Sequence, residues 1–135
     1  MIIGLDHIAI AVSELDAAIK QFADDFGLTL SGTEDVESAQ TTTAFFPISG
    51  TQIELIHPLN DAGPVKRSLE RRGPGLHHIC FRTDDIREDM IRLKDRGYVF
   101  LSEEPTRGAH DTLVAFIHPR STGGVLIELA EHSES

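Results

Sequence analysis

Cysteine is almost absent: Cys80 stands alone among 135 residues, which excludes an intrachain disulfide and fits a reducing, cytoplasmic setting. Positive charge is scarce as well. Twelve Lys and Arg face 22 Asp and Glu, for a formal net charge of −10, so neither nucleic acid nor an anionic membrane is expected as the main partner. Long apolar runs are lacking. The apolar opening from Met1 to Val12 is interrupted by Asp6 and His7, with no basic flank before it, so neither a signal peptide nor a membrane span is expected. No low-complexity tract or Pro/Gly/Ser linker divides the chain. At this length, with 40% apolar residues, one domain with a substantial core is expected.

What the chain does contain is an internal repeat. LDHIAIAVSELDAAIKQFADDFG, Leu5 to Gly27, lies over LHHICFRTDDIREDMIRLKDRG, Leu76 to Gly97. Leu5 matches Leu76, His7 matches His78, and Ile8 matches Ile79. Ser13–Asp16 and Asp85–Glu88 have the spacing of capping boxes, and each opens a helix. Leu15, Ala18, Ile19, Phe22 and Phe26 recur at helical spacing, as do Ile86, Met90 and Leu93. Gly27 and Gly97 are placed to end these helices in left-handed caps.

After the first helix, LTLSGT, TTTAFFPI and TQIELIHP read as strands; after the second, YVFL, TLVAFIHP and GVLIELAE do. Ile53-Glu54-Leu55 matches Ile127-Glu128-Leu129. The expected fold is α+β: two pseudo-symmetric βαβββ modules forming curled mixed sheets around a metal-containing cleft. It is one domain over 1–135, with module 1 at about 1–58, a connector at about 59–74 and module 2 at about 75–132. The connector holds a loop, LNDAGP, and a short basic helix, VKRSLERR.

The repeat distinguishes two adjacent histidines in GLHHICF. Successive strand residues point to opposite faces, so His77 goes with Ile79 and Phe81 toward the helices. His78 goes with Cys80 to the other face and corresponds to His7. Glu54 and Glu128 recur within apolar strands, where an unpaired buried carboxylate is costly. Taken singly, each of these residues reads as a half-buried strand residue facing solvent; taken as a symmetric set, His7, Glu54, His78 and Glu128 read as ligands of one divalent cation. Two imidazoles and two carboxylates suit Co²⁺, Ni²⁺, Mn²⁺, Zn²⁺ or Fe²⁺, and four protein ligands leave positions open for a substrate. Gln52, two residues before Glu54, is a rival ligand. His57, His118 and His132 read as surface residues, His110 as a solvated loop residue, and Cys80 as a small packing residue.

With these residues in view, the chain resembles the vicinal-oxygen-chelate superfamily and, within it, the methylmalonyl-CoA epimerases. LDHIAIAV, TQIELIHPL, PLNDAGPVKRSLERRGPGLHHICF and GAHDTLVAFIHPRSTGGVLIELAE carry the likeness over almost the whole length; the connector leading into GLHHI and HPRS–GGVLIEL are its specific parts. The resemblance implies an isomerase that takes the C2 proton of a methylmalonyl thioester and returns one from the other side, through a metal-stabilised enolate. It implies metal ligation by His7, Glu54, His78 and Glu128, with Co²⁺ foremost. It also implies Glu128 as one acid/base, a cytoplasmic homodimer and an acyl-CoA partner. The family's second glutamate falls here at about Thr43, and threonine is no general base at neutral pH. Either that base comes from elsewhere in the chain or the register shifts by a residue or two. Lys66, Arg67, Arg71 and Arg72, a third of the 12 Lys and Arg, offer a dock for the CoA phosphates. The alternatives are a glyoxalase I-type lactoylglutathione lyase, a metal-free drug-sequestering member and an Fe(II) oxygenase; the last wants two histidines and one carboxylate.

Overall fold

A computed structural model of the chain describes residues 1–133. The elements run β1 (Ile2–Ala11), α1 (Leu15–Lys20), β2 (Gly32–Val36), β3 (Thr41–Ile48), β4 (Thr51–Pro58), α2 (Pro64–Arg72), β5 (Gly75–Thr83), α3 (Ile86–Asp95), β6 (Thr106–Arg107), β7 (Leu113–Ile117) and β8 (Ile127–Glu131). This is the expected α+β succession, βαβββ twice with α2 in between. Two compact units hold it: His7–His77, and Met1–Asp6 together with the chain from His78 onward.

In the His7–His77 unit the strand order is β2–β3–β4–β1. β2, β3 and β4 are antiparallel neighbours, and β4 runs parallel to β1 with Ala9 opposite Glu54. One face buries Val12, Ala44, Phe46 and Leu55 beneath Leu15, Ala18, Ile19 and Phe22 of α1 and its continuation. The aromatic edge of Phe22 meets Phe26 in a T-shaped contact at 5.2 Å. On the opposite face α2 packs Val65 and Leu69 over Ala9, Ala11 and Ile56. Apolar alternation on both faces is what two covering helices require.

The second unit orders β1–β5–β8–β7–β6, with β5 and β8 parallel and Cys80 opposite Glu128. Phe81 joins Ile86, Met90, Leu93, Ala115 and Leu129 under α3. Cys80 faces the other way, with Val114 and Ala130. The predicted division of β5 into a helix-packed face and a second face is therefore observed.

Several local expectations change. Asp85 caps α3 by accepting from the Glu88 backbone N–H at 3.1 Å, but at α1 the N-cap residue is Glu14, which makes no side-chain cap; Ser13 remains in the preceding bend. After Lys20 the first helix widens into a π-turn segment, Gln21–Asp25. Gly27 and Gly97 end the two helices at φ 72° and 92°, where a side chain would be strained. LTLSGT is not the second strand. Leu28 closes the helix through its N–H to the Phe22 carbonyl and packs into the α1 core, so β2 begins only at Gly32, where pairing with Phe45 starts. Likewise YVFL contributes one bridge, Phe100 to Ile117, and the edge strand is Thr106–Arg107.

Candidate metal and proton-transfer site

Each unit carries one buried imidazole–carboxylate pair. In the first, His7 sits two residues before Ala9, the residue that β1 sets against Glu54. Strand neighbours two apart share a face, so imidazole and carboxylate meet: His7 Nδ1 lies 3.2 Å from Glu54 Oε2, with side chains 9% and 10% exposed. In the second unit His78 sits two residues before Cys80, the residue set against Glu128. Its Nε2 lies 2.9 Å from Glu128 Oε1, both side chains 8% exposed. The correspondence extends one strand further, because Phe45 stands opposite Glu54 and Phe116 opposite Glu128. Phe116 also meets the His78 ring edge-on at 5.2 Å.

Each pair, taken by itself, offers donors that suit a divalent cation: a nitrogen and an oxygen, held by regular strands and shielded from water. Burial of a carboxylate is costly unless charge or hydrogen bonds compensate it, and imidazole with carboxylate is the donor chemistry of borderline transition-metal ions. Gln52 lies on the Glu54 face, half-buried, one step farther from the pairing with Ala9.

Thr43 is buried in β3, on the face that carries Glu54. It stands between Ile56 of β4 and Glu34 of β2, the latter directly opposite. Glu34 is half-buried, while its neighbours Thr33 and Asp35 are exposed. Asp35 accepts a hydrogen bond from Thr42 at 2.8 Å, which fixes that pair on the other face. Sequence patterning does not single out Glu34: TEDVES is polar, with neither the β-branched run nor the repeat match that marks the other positions.

The basic helix α2 packs on the Ala9–Ile56 face through Val65 and Leu69, while Arg67, Arg71 and Arg72 are exposed. Lys66 is engaged locally, 3.0 Å from Asp61 and 3.4 Å from Glu70; hydrogen bonds to Asp61 and then Glu70 raise it above the usual lysine range. The histidines set aside as surface residues have definite partners. His57 Nδ1 is 2.9 Å from the Val12 carbonyl, His118 accepts from the Arg120 backbone at 3.0 Å, and His132 pairs with Asp6. His110 is exposed, in a left-handed loop conformation.

The sequence pattern of the Glyoxalase/Bleomycin resistance protein/Dioxygenase superfamily matches residues 6–116. The chain is 39% identical over 133 residues to the ethylmalonyl-CoA/methylmalonyl-CoA epimerase of Cereibacter sphaeroides, an alignment that covers 97% of this chain and 99% of that protein. It is 35% identical over 128 residues to the human mitochondrial methylmalonyl-CoA epimerase, covering 94% of this chain and 73% of that one. A variant of the Streptomyces coelicolor methylmalonyl-CoA epimerase, solved in complex with 2-nitronate-propionyl-CoA, has the same fold at a TM-score of 0.95 and 31% identity, covering 99% of this chain and all of that one. Among the described residues, no helix is long and apolar enough to cross a membrane. The chain belongs to the glyoxalase/bleomycin resistance protein/dioxygenase superfamily, with methylmalonyl-CoA epimerases among its relatives.

Proposed function

We propose that this chain is an isomerase that epimerises methylmalonyl-CoA at C2, using one divalent cation held by His7, Glu54, His78 and Glu128. The observation that carries the reading is the duplicated register. In both units a histidine two residues upstream of the glutamate's strand partner brings nitrogen and oxygen together inside the protein. Nearly full-length relatives named as epimerases of this substrate supply the reaction class. Co²⁺ is the leading ion, with Ni²⁺, Mn²⁺, Zn²⁺ and Fe²⁺ compatible with the same donors.

Removing a proton from carbon beside a thioester carbonyl leaves negative charge on oxygen. A bound cation supplies electrostatic stabilisation of that charge, a contribution of several kcal/mol. The chain's own groups do the rest. His7 and His78 would offer neutral nitrogens, so that only the two glutamates would offset the charge of a bound ion. Glu128, besides being a candidate ligand, would exchange a proton with C2 on one side. Phe116 and Phe45 flank the glutamates with apolar surface that excludes competing water.

The acyl-CoA phosphates are assigned to α2, with Arg67 and Arg71 outward from the packed Val65–Leu69 edge and Lys66 in support. The same reading places a homodimer, one vicinal-oxygen-chelate domain per chain, in the cytoplasm.

C2 hydrogen exchange tests this directly. In heavy water, purified protein with racemic methylmalonyl-CoA should incorporate deuterium at C2, a chelator should stop it, and added Co²⁺ should restore it. A chain that turns over the methylglyoxal–glutathione hemithioacetal instead is a lactoylglutathione lyase, and one that leaves C2 unexchanged with metal bound is not an epimerase.

A further inference from the structure

Epimerisation needs a proton carrier on each face of C2, and Glu128 accounts for one. Thr43, where the family's second glutamate is expected, has no titratable group at neutral pH. The register of β2 against β3 sets Glu34 directly opposite Thr43, and the face they share is the face of Glu54, through Phe45. On that face β1 presents His7, Ala9 and Ala11, β4 presents Gln52, Glu54 and Ile56, and β3 presents Thr41, Thr43 and Phe45. β2 adds Gly32, Glu34 and Val36. With His7 and Glu54 taken as ligands, Glu34 is the remaining ionisable side chain on this face of the four strands.

We propose that Glu34 is the second acid/base of the reaction, a carboxylate moved one strand outward from the family position. The inference rests on the epimerase reading. Adjacent strands lie about 4.8 Å apart, close to the length of a glutamate side chain. Thr43 is small and buried, and Glu34 stands directly opposite it, so a carboxylate rooted there is one strand from the family position. Glu34 is half-buried between two exposed neighbours, which agrees with its place on the face shared by Thr43 and Glu54. Gly32, two residues earlier and opposite Phe45, leaves the adjoining position without a side chain.

The proton count closes. Glu34 as carboxylate takes the C2 proton and becomes the carboxylic acid, while the bonding pair moves into the thioester enolate. The carrier on the opposite side, assigned to Glu128, gives one proton to C2 and is left one proton poorer. Either reverse turnover or proton exchange with water then resets both glutamates. No other reactant is needed.

The test is Glu34→Gln in the Co²⁺-loaded protein, with deuterium incorporation and epimerisation followed separately for each C2 epimer. Loss of one of two carriers should lower epimerisation at least about a hundredfold, yet leave C2 exchange of the epimer that presents its proton to Glu128. Co²⁺ affinity by calorimetry should stay within about twofold of wild type. Glu34→Asp, a shortened carboxylate, should recover part of the epimerisation. Epimerisation within a few-fold of wild type in Glu34→Gln would overturn the proposal. So would equal loss of exchange from both epimers with the metal still bound, or loss of Co²⁺ affinity, which would make Glu34 a support of the ligand pair. Absence of exchange from both epimers in the wild-type protein sinks the epimerase reading itself.

Discussion

His78 Nε2 and Glu128 Oε1 lie 2.9 Å apart, although Cys80, not His78, is the residue directly across from Glu128. The two-residue offset is what lets them meet. In a parallel pair the side chains of one face lean along the strands, so the long glutamate reaches back to the ring. His7 and Glu54 repeat the offset. A geometry produced twice by one chain marks a constraint that each unit obeys.

Facing decides the first prediction. His78→Ala removes a buried nitrogen of the proposed ligand set and is expected to lower Co²⁺ affinity more than about a hundredfold. His77 is half-buried and, by strand alternation, on the opposite face of β5 from His78. His77→Ala should keep the metal and lose instead about 1 kcal/mol of stability. Calorimetric titration with Co²⁺ and thermal melts of the two variants separate the roles, and equal metal loss in both refutes the facing argument.

The proposed acyl-CoA dock gives the second. The Arg67→Ala/Arg71→Ala double variant should raise the acyl-CoA KM about tenfold or more, increasingly so at low ionic strength, with kcat nearly unchanged, because these contacts are the same in ground and transition states. Lys66→Ala should do less, since Asp61 and Glu70 already engage that ammonium. Steady-state kinetics at two salt concentrations are the check.

Asp89 supports a prediction about pH. Its carboxylate is fully buried. Burial pushes its pKa up, but hydrogen bonds from Thr83 and from Arg92, the latter at 2.9 Å, together with the Met1 ammonium at 3.2 Å, outweigh that and hold it below the usual range. A folded-state pKa below the unfolded one contributes stability that is fully present above the ordinary aspartate value, about 3.9, and is lost as pH falls through the folded value. Asp89→Asn should therefore cost about 1.5–3 kcal/mol near neutrality, a difference that holds down to about pH 5 and narrows below about pH 4. Denaturant titrations across that range measure it.

Close packing at Gly108 yields the fourth. A Cβ there would stand 2.7 Å from Val114 Cγ1 and 2.9 Å from Thr112 Oγ1, and both residues are buried. Gly108→Ala should cost about 1–3 kcal/mol through overpacking, whereas Gly4→Ala, with nothing within 4 Å, should be close to neutral. Equal melting points in the two variants contradict the packing argument.

Much of this arrangement is legible in the residues. TTTAFFPI and TQIELIHP coincide with β3 and β4 because apolar density and β-branching agree with the pairing there. The duplicated His and Glu positions are readable because both copies kept the same offset. β2 is not. LTLSGT has the alternation of a strand, yet Leu28 is drawn into the α1 core, and the strand forms from TEDV, whose polar residues suit an edge and carry little pattern. Glu34 is hidden for the same reason: only the register with Thr43 gives it a place.

The most direct measurement of the central claim is metal stoichiometry. Elemental analysis and Co²⁺ calorimetry should find one ion per chain in the wild-type protein, and His7→Ala and His78→Ala should each abolish it, because the proposal assigns all four ligands to one cation. Two ions per chain, with each variant losing one of them, or an ion retained at full affinity in either variant, would contradict it.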